Sequence, residues 1–164
     1  MKKILLFYFL LFTTYAFSQT YKVIGIKDGD TVSILMEGTE KTVRLAHIDC
    51  PEKKQPFGNK AKEAISALCF GKLVTLIGNG KKDRNGRLIA ELILPNGINV
   101  NKTLVKLGLA WHFKKYSKDQ DYANLEITAR NKKVGLWKDP HSIAPWDWRK
   151  SRKISSKINK SFTY

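Results

Sequence analysis

Six charged residues carry the chemistry for which this sequence can be read. Asp28 and Asp30 flank a glycine in Asp28-Gly29-Asp30-Thr31, and Asp49 and Glu52 bracket Cys50-Pro51. Arg44 lies between those two acidic stretches, and Arg87 follows Asn85-Gly86. Carboxylates gathered at one point repel one another unless a cation sits among them. An all-oxygen donor set suits a hard cation such as Ca²⁺ or Mg²⁺. Arginine suits a phosphodiester, because its planar fork donates paired hydrogen bonds and keeps its charge. The combination describes a cation site beside a phosphate holder. The competing interpretation is local: Asp28 and Asp30 as turn formers, Glu52 as an exposed carboxylate, and the arginines as solvated strand and turn residues.

The two interpretations differ in whether the chain brings these residues together. Thr31 to Met36 and Thr42 to Ile48 alternate as strands and are joined by Glu37-Gly38-Thr39-Glu40, which predicts a hairpin. Folding it back places Asp28 and Asp30 near Asp49 and Glu52, with Arg44 on the strand between. Tyr21 to Ile26 predicts a preceding strand, and Leu73 to Ile77 and Leu88 to Leu94 predict two more around the Asn85-Gly86 turn. Ala61, Ala64, Ile65 and Leu68 share one helical face, with Gly71 as a stop. Five strands with a helix between the third and fourth predict an α+β, mainly β chain: a five-stranded OB-fold barrel with about three helices. The second helix is expected after an Asn99 cap, the third from Asp119 to Lys133 with Tyr122, Leu125 and Ala129 buried. Leu136 to Arg149 is expected as an extended aromatic strap, and 150–164 as a basic tail without order.

Composition narrows the partner. The 164 residues hold 30 Lys and Arg against 14 Asp and Glu, a net charge of +16. Such an excess on one domain suits an anionic partner such as nucleic acid; adhesion to another anionic surface is the alternative. Residues 1–18, with Lys2, Lys3, an apolar run from Ile4 to Phe12 and Ala16-Phe17-Ser18, predict a secretory signal peptide, with a retained anchor as the alternative. The domain is expected to span 19–149. Cys50 and Cys69 are compatible with a disulfide or with two free thiols. Several other sites are excluded. An EF-hand starting at Asp28 lacks its glycine and its final glutamate, Gly78-Asn79-Gly80 lacks a dinucleotide fingerprint, and His47, His112 and His141 lack metal-ligand spacing.

With these residues in order, the chain resembles the thermonuclease, or staphylococcal-nuclease-like, family in its secreted bacterial branch. The likeness rests on Asp28-Gly29-Asp30-Thr31, Arg44-Leu45, Asp49-Cys50-Pro51-Glu52, Asp83-Arg84-Asn85-Gly86-Arg87 and Leu107-Gly108-Leu109-Ala110. Gly135-Leu136-Trp137 and Pro145-Trp146-Asp147-Trp148-Arg149 extend it, so that it covers Tyr21 to Arg149. The resemblance implies Asp30 and Asp49 as Ca²⁺ ligands, with the main-chain carbonyl of Cys50 where family members often carry threonine. It implies Asp28 as a carboxylate behind the ligands, Glu52 as general base, and Arg44 and Arg87 as catalytic arginines. Arg84 and Tyr116 are the implied nucleic-acid contacts. Asn85 departs from the family, which often has a tyrosine there. The resemblance further implies a secreted or periplasmic, monomeric, calcium-dependent nuclease on DNA and RNA, leaving 3′-phosphate ends and holding no membrane once the leader is cut. The alternative is an OB-fold nucleic-acid binder without catalysis, against which the presence of all five charged site positions argues.

Overall fold

Three consecutive strands that bury Val23, Val32, Ile34, Val43 and Leu45 start the barrel. The computed structural model describes residues 19–161, with side chains to residue 155; the predicted signal peptide lies outside them. β1 (Thr20–Asp28), β2 (Thr31–Met36) and β3 (Thr39–Leu45) form an antiparallel meander. The β2–β3 turn is only Glu37-Gly38, both at positive φ, so Met36 faces Thr39 directly. After β4 (Ile48–Asp49) and α1 (Gly58–Cys69) come β5 (Leu73–Ile77) and β6 (Leu88–Ile93). The barrel closes in the order β1-β2-β3-β6-β5, with β3 and β6 parallel and β5 back on β1. This is the five-stranded OB-type barrel expected, with α1 between its third and fourth strands. Val23, Val32, Ile34, Val43, Val74 and Leu92 fill its centre, and Ile65 of α1 plugs it.

Two short elements were not foreseen. The expected strand Thr42–Ile48 ends at Leu45, because His47 takes a positive φ of 68°. Ile48 and Asp49 then pair with β7 (Trp111–His112). Buried Asn101 explains the break. Its amide donates to the carbonyls of Ala46 (3.0 Å) and Ala90 (3.3 Å) and accepts from the Leu92 amide (3.1 Å), satisfying the backbone that leaves the ladder. Asn101 belongs to α2 (Val100–Lys106), which is capped by the Asn99 side chain accepting from the Lys102 amide at 3.0 Å. α3 (Gln120–Asn131) buries Tyr122, Glu126 and Ala129.

The C-terminal stretch differs from expectation. Gly135–Lys138 is a 3₁₀ turn rather than extended chain, and α4 runs from Pro145 to Ser161. Residues 150–161, expected to lack order, are therefore helical; 162–164 lie outside the described residues. Proline's fixed φ suits a first helical turn. Trp146 anchors that turn, stacked on Phe113 at 5.3 Å and edge-on to Trp111 at 5.7 Å. Once a first turn is fixed, propagation costs little. Trp111, Trp137 and Ala144 make a second apolar cluster under this segment, with Arg130 lying 3.8 Å over Trp137. The described residues thus contain four α-helices against the expected three. Cys50 and Cys69 are both buried free thiols, donating to the carbonyls of Gly29 and Ile65 (3.2 Å each).

Candidate active site

Packing at one end of the barrel is close enough to require glycine. Asp28 accepts from the Asp30 amide (3.1 Å), forming the turn that carries both carboxylates. Gly29 sits at its apex, where a Cβ would lie 2.8 Å from both Ala61 and Cys50. β2 and β3 pair Thr31 with Arg44, which sets the arginine beside the turn. β4 brings Asp49 to the same point, and β4 is held by β7 and by His47 and His112, which share the Ser117 hydroxyl at 2.8 and 3.0 Å.

The result is a packed ion cluster. Arg44 Nη2 meets Asp49 at 2.8 Å and Asp30 at 3.1 Å, while Nη1 donates to the carbonyls of Leu45 (2.7 Å) and Ile48 (2.9 Å). The Cys50 amide donates to the same Asp30 oxygen at 2.6 Å. Burial pushes the Asp30 carboxyl up to about 7; Arg44 and the Cys50 amide pull it down, while Asp28 and Asp49 push it further up. Burial also raises the Cys50 thiol well above its usual range. Arg44 holds its proton more tightly than usual: its own burial works the other way, but Asp30 and Asp49 outweigh it. One guanidinium is thus shared by two buried carboxylates with a third close by, a set that a further cation would relieve.

Among the described residues, no three His, Cys, Asp or Glu side chains are arranged to hold a metal ion by themselves. Asp30 and Asp49 do converge, and their oxygens suit a hard cation that completes its shell with main-chain carbonyl and water. Arg87 approaches from the turn just before β6. It is bound to Asp83 at 2.7 Å and donates to the Thr31 hydroxyl at 3.3 Å, which in turn donates to Asp30 at 3.3 Å. Burial would raise the Asp83 carboxyl, but hydrogen bonds from the side chain and amide of Arg87 hold it low.

Glu52 sits at the rim, its side chain 41% exposed. Its loop is closed by Gln55, whose amide donates to the Glu52 carbonyl (2.8 Å) and whose side chain reaches Ile143. Gly58 backs the loop so closely that a Cβ would lie 2.0 Å from the Glu52 carbonyl oxygen. Gly58→Ala is therefore expected to cost about 1–3 kcal/mol by overpacking against backbone and to displace Glu52. A melting curve matching that of the wild type would show that the loop gives way freely.

Sequence reasoning assigned no role to Arg149, yet it completes the cluster. It bridges Asp49 and Glu52 at 2.7 Å each from the first turns of α4. Burial opposes its charge, but those two carboxylates hold it protonated well beyond the ordinary range. The available signal was its place in Pro145-Trp146-Asp147-Trp148-Arg149, with no sign of where that segment lands. Asp28, Asp30, Arg44, Asp49, Cys50, Glu52 and Arg87 are thus brought together as expected. Arg84 and Tyr116 are not part of that cluster. Arg84 lies on the exposed Asp83–Arg87 turn, and Tyr116, 72% exposed, packs edge-on against Phe113 at 4.8 Å.

This arrangement can be set beside known proteins. Residues 42–139 match the family model described as staphylococcal nuclease homologue. An uncharacterized endonuclease of Haemophilus influenzae is 42% identical over 146 residues, which cover 88% of this chain and 79% of that protein. A micrococcal nuclease of Shigella flexneri is 37% identical, with 80% and 81% covered. The staphylococcal-like nuclease CAN1 of Arabidopsis thaliana is 37% identical over 68% of this chain and 34% of its own length. With a matching barrel and a family match over more than half its length, the chain belongs to the staphylococcal nuclease homologue family.

Proposed function

We propose that the protein is a secreted, Ca²⁺-dependent nuclease that hydrolyses phosphodiester bonds of DNA and RNA with little sequence preference, acts as a monomer and leaves 3′-phosphate ends. The observation that carries this reading is the meeting of Asp30, Asp49 and Glu52 with Arg44, Arg87 and Arg149 at one end of the barrel. The endonuclease and micrococcal nuclease relatives support the reaction class. The signal-peptide-like sequence of 1–18 supports export, and the charge of +16 supports an anionic polymer as substrate. Among the described residues no helix is long and apolar enough to cross a membrane.

The scissile phosphate is anionic and repels a hydroxide nucleophile, so the site must neutralise it and place a water. Asp30, Asp49 and the Cys50 carbonyl would hold Ca²⁺, which when bound polarises the phosphoryl oxygens. Glu52 takes a proton from the attacking water as the water oxygen bonds to phosphorus. The bond from phosphorus to the 5′ oxygen breaks, and that oxygen takes a proton from solvent. Arg87 is the better placed of the two expected arginines for a non-bridging oxygen, since Arg44 is tied to two buried carboxylates and two carbonyls. Arg87 is more exposed and is held by one carboxylate, Asp83, and a 3.3 Å contact to the Thr31 hydroxyl. Arg44 acts chiefly by fixing the two ligand carboxylates.

Purified protein incubated with plasmid DNA is expected to degrade it with Ca²⁺ and to stop with excess chelator. Log affinity, measured with chelator present, should fall linearly and steeply with log salt. Steep salt-dependent binding without any cleavage would instead make this a non-catalytic nucleic-acid binder. A flat salt response would assign the charge to another partner.

A further inference from the structure

α4 contains one acidic residue, Asp147, and six lysines and arginines within Pro145–Ser161. Like charges three or four residues apart weaken a helix by a few tenths of a kcal/mol per pair, so this helix keeps an arrangement that costs it stability by itself. Arg149, Arg152 and Lys153 stand at i, i+3 and i+4 and share one face. With Trp148 and Glu52 they line one open cleft of about 330 Å³ at the rim of the carboxylate cluster. Arg149 is already committed to Asp49 and Glu52. Arg152, exposed, has no acidic partner among the described residues. The cleft thus offers cationic groups in excess of its own carboxylates, one aromatic wall, and continuity with the proposed base.

We infer that this face of α4 is a second phosphate site, binding the nucleic-acid backbone beside the phosphate attacked at Glu52. The inference rests on the nuclease reading above and adds where the strand continues. Arginine forks suit the phosphate oxygens, and the Trp148 ring offers a surface on which a neighbouring base can stack. A phosphate arriving in the cleft competes for Arg149, which releases Glu52 for its water. An anionic lipid surface is the poorer fit. A membrane-bound helix needs a free apolar face, and among the described side chains Trp146 is spent against Phe113 and Trp111, leaving Trp148 at the cationic cleft and the half-exposed Ile154.

The test uses the double variant Arg152→Ala, Lys153→Ala of the whole protein, with Lys150→Ala, which does not line the cleft, as control. Alanine favours helix, so circular dichroism should match that of the wild type. Binding to a labelled single-stranded oligonucleotide, with chelator present, is expected to weaken about tenfold. Its log–log salt slope should fall by about 1.4, roughly 0.7 for each lost contact to a single strand. With Ca²⁺, KM for the oligonucleotide should rise while kcat holds, and cleavage of a dinucleotide should be unchanged. An unchanged slope and KM, a slope change matched by Lys150→Ala, or an equal loss on the dinucleotide overturns the site. Binding to phosphatidylglycerol vesicles that only the double variant loses, with its oligonucleotide affinity intact, also overturns it. Wild-type protein that binds the oligonucleotide but cleaves nothing overturns the nuclease reading, while the reduced slope still supports the phosphate site.

Discussion

Glu52→Gln is expected to bind Ca²⁺ and DNA as the wild type does while turning over about 10²–10⁴-fold more slowly, the usual loss when a general base is removed. Gln is nearly isosteric. Its amide oxygen can still accept from Arg149, now 2.7 Å from the carboxylate. The loop is held by main-chain bonds, from the Gln55 amide to the Glu52 carbonyl and from the Gly58 amide to the Gln55 carbonyl, which the substitution does not touch. A folding defect is therefore not the expected cause of lost rate, and a melting curve with a calcium titration checks that. Arg87→Ala should slow the reaction as well, without summing with Glu52→Gln, because both act on one phosphate. If Glu52→Gln keeps more than about half of wild-type turnover at saturating substrate and calcium, against the loss expected for a base, water activation must be assigned elsewhere.

Asp30→Ala and Asp49→Ala should both abolish calcium-stimulated cleavage, yet they are expected to part in stability. Asp49 is buried and paired with both Arg44 and Arg149. Removing it leaves Arg44 with Asp30, at 3.1 Å, as its remaining carboxylate. The loss is therefore expected to lie at or below the range of about 3–5 kcal/mol typical of breaking a buried pair by deleting one partner. Asp30 differs, because burial and its acidic neighbours push its carboxyl up to about 7. A carboxyl raised on folding binds its proton more tightly in the native state than in the unfolded chain. Stability from this group is therefore full below the ordinary value of 3.8 and is lost as pH rises toward 7. Removing its charge with Asp30→Asn should thus stabilise the metal-free protein relative to wild type at pH 8, with the advantage gone near pH 4. The same proton competes with a cation, so calcium affinity should strengthen as pH approaches 7. Thermal melts of the two variants with chelator, followed by calcium titrations at several pH values, check each step. Wild-type cleavage and calcium dependence in Asp30→Ala would remove Asp30 from the metal site.

Much of this cluster could be read from local sequence because it is held by short-range geometry. Asp28-Gly29-Asp30 forms its own turn and the hairpin was legible, although its turn is Glu37-Gly38 rather than the expected Glu37-Gly38-Thr39-Glu40, and that shorter turn sets Arg44 opposite Thr31. Asn99 and Asp119 cap their helices where side-chain chemistry says they should. Apolar residues two apart, Val32 with Ile34 and Val43 with Leu45, marked the strand faces that the barrel covers.

Other features have no local cause. Strand β3 breaks at Ala46-His47 because Asn101, 55 residues on, supplies the missing hydrogen bonds. α4 forms where extended chain and disorder were expected, because Trp146 finds Phe113 and Trp111 as partners. Nor does anything near Arg44 in the sequence show that its guanidinium is spent on Asp30, Asp49 and two carbonyls. Arg149 reaches Glu52 and Asp49 across 97 and 100 residues. The sequence by itself determined the acidic turn, the hairpin and the helix caps, whose partners lie within a few residues along the chain. Only the tertiary structure decided which arginine guards Glu52, because a salt bridge between distant segments depends on the packing that brings them together.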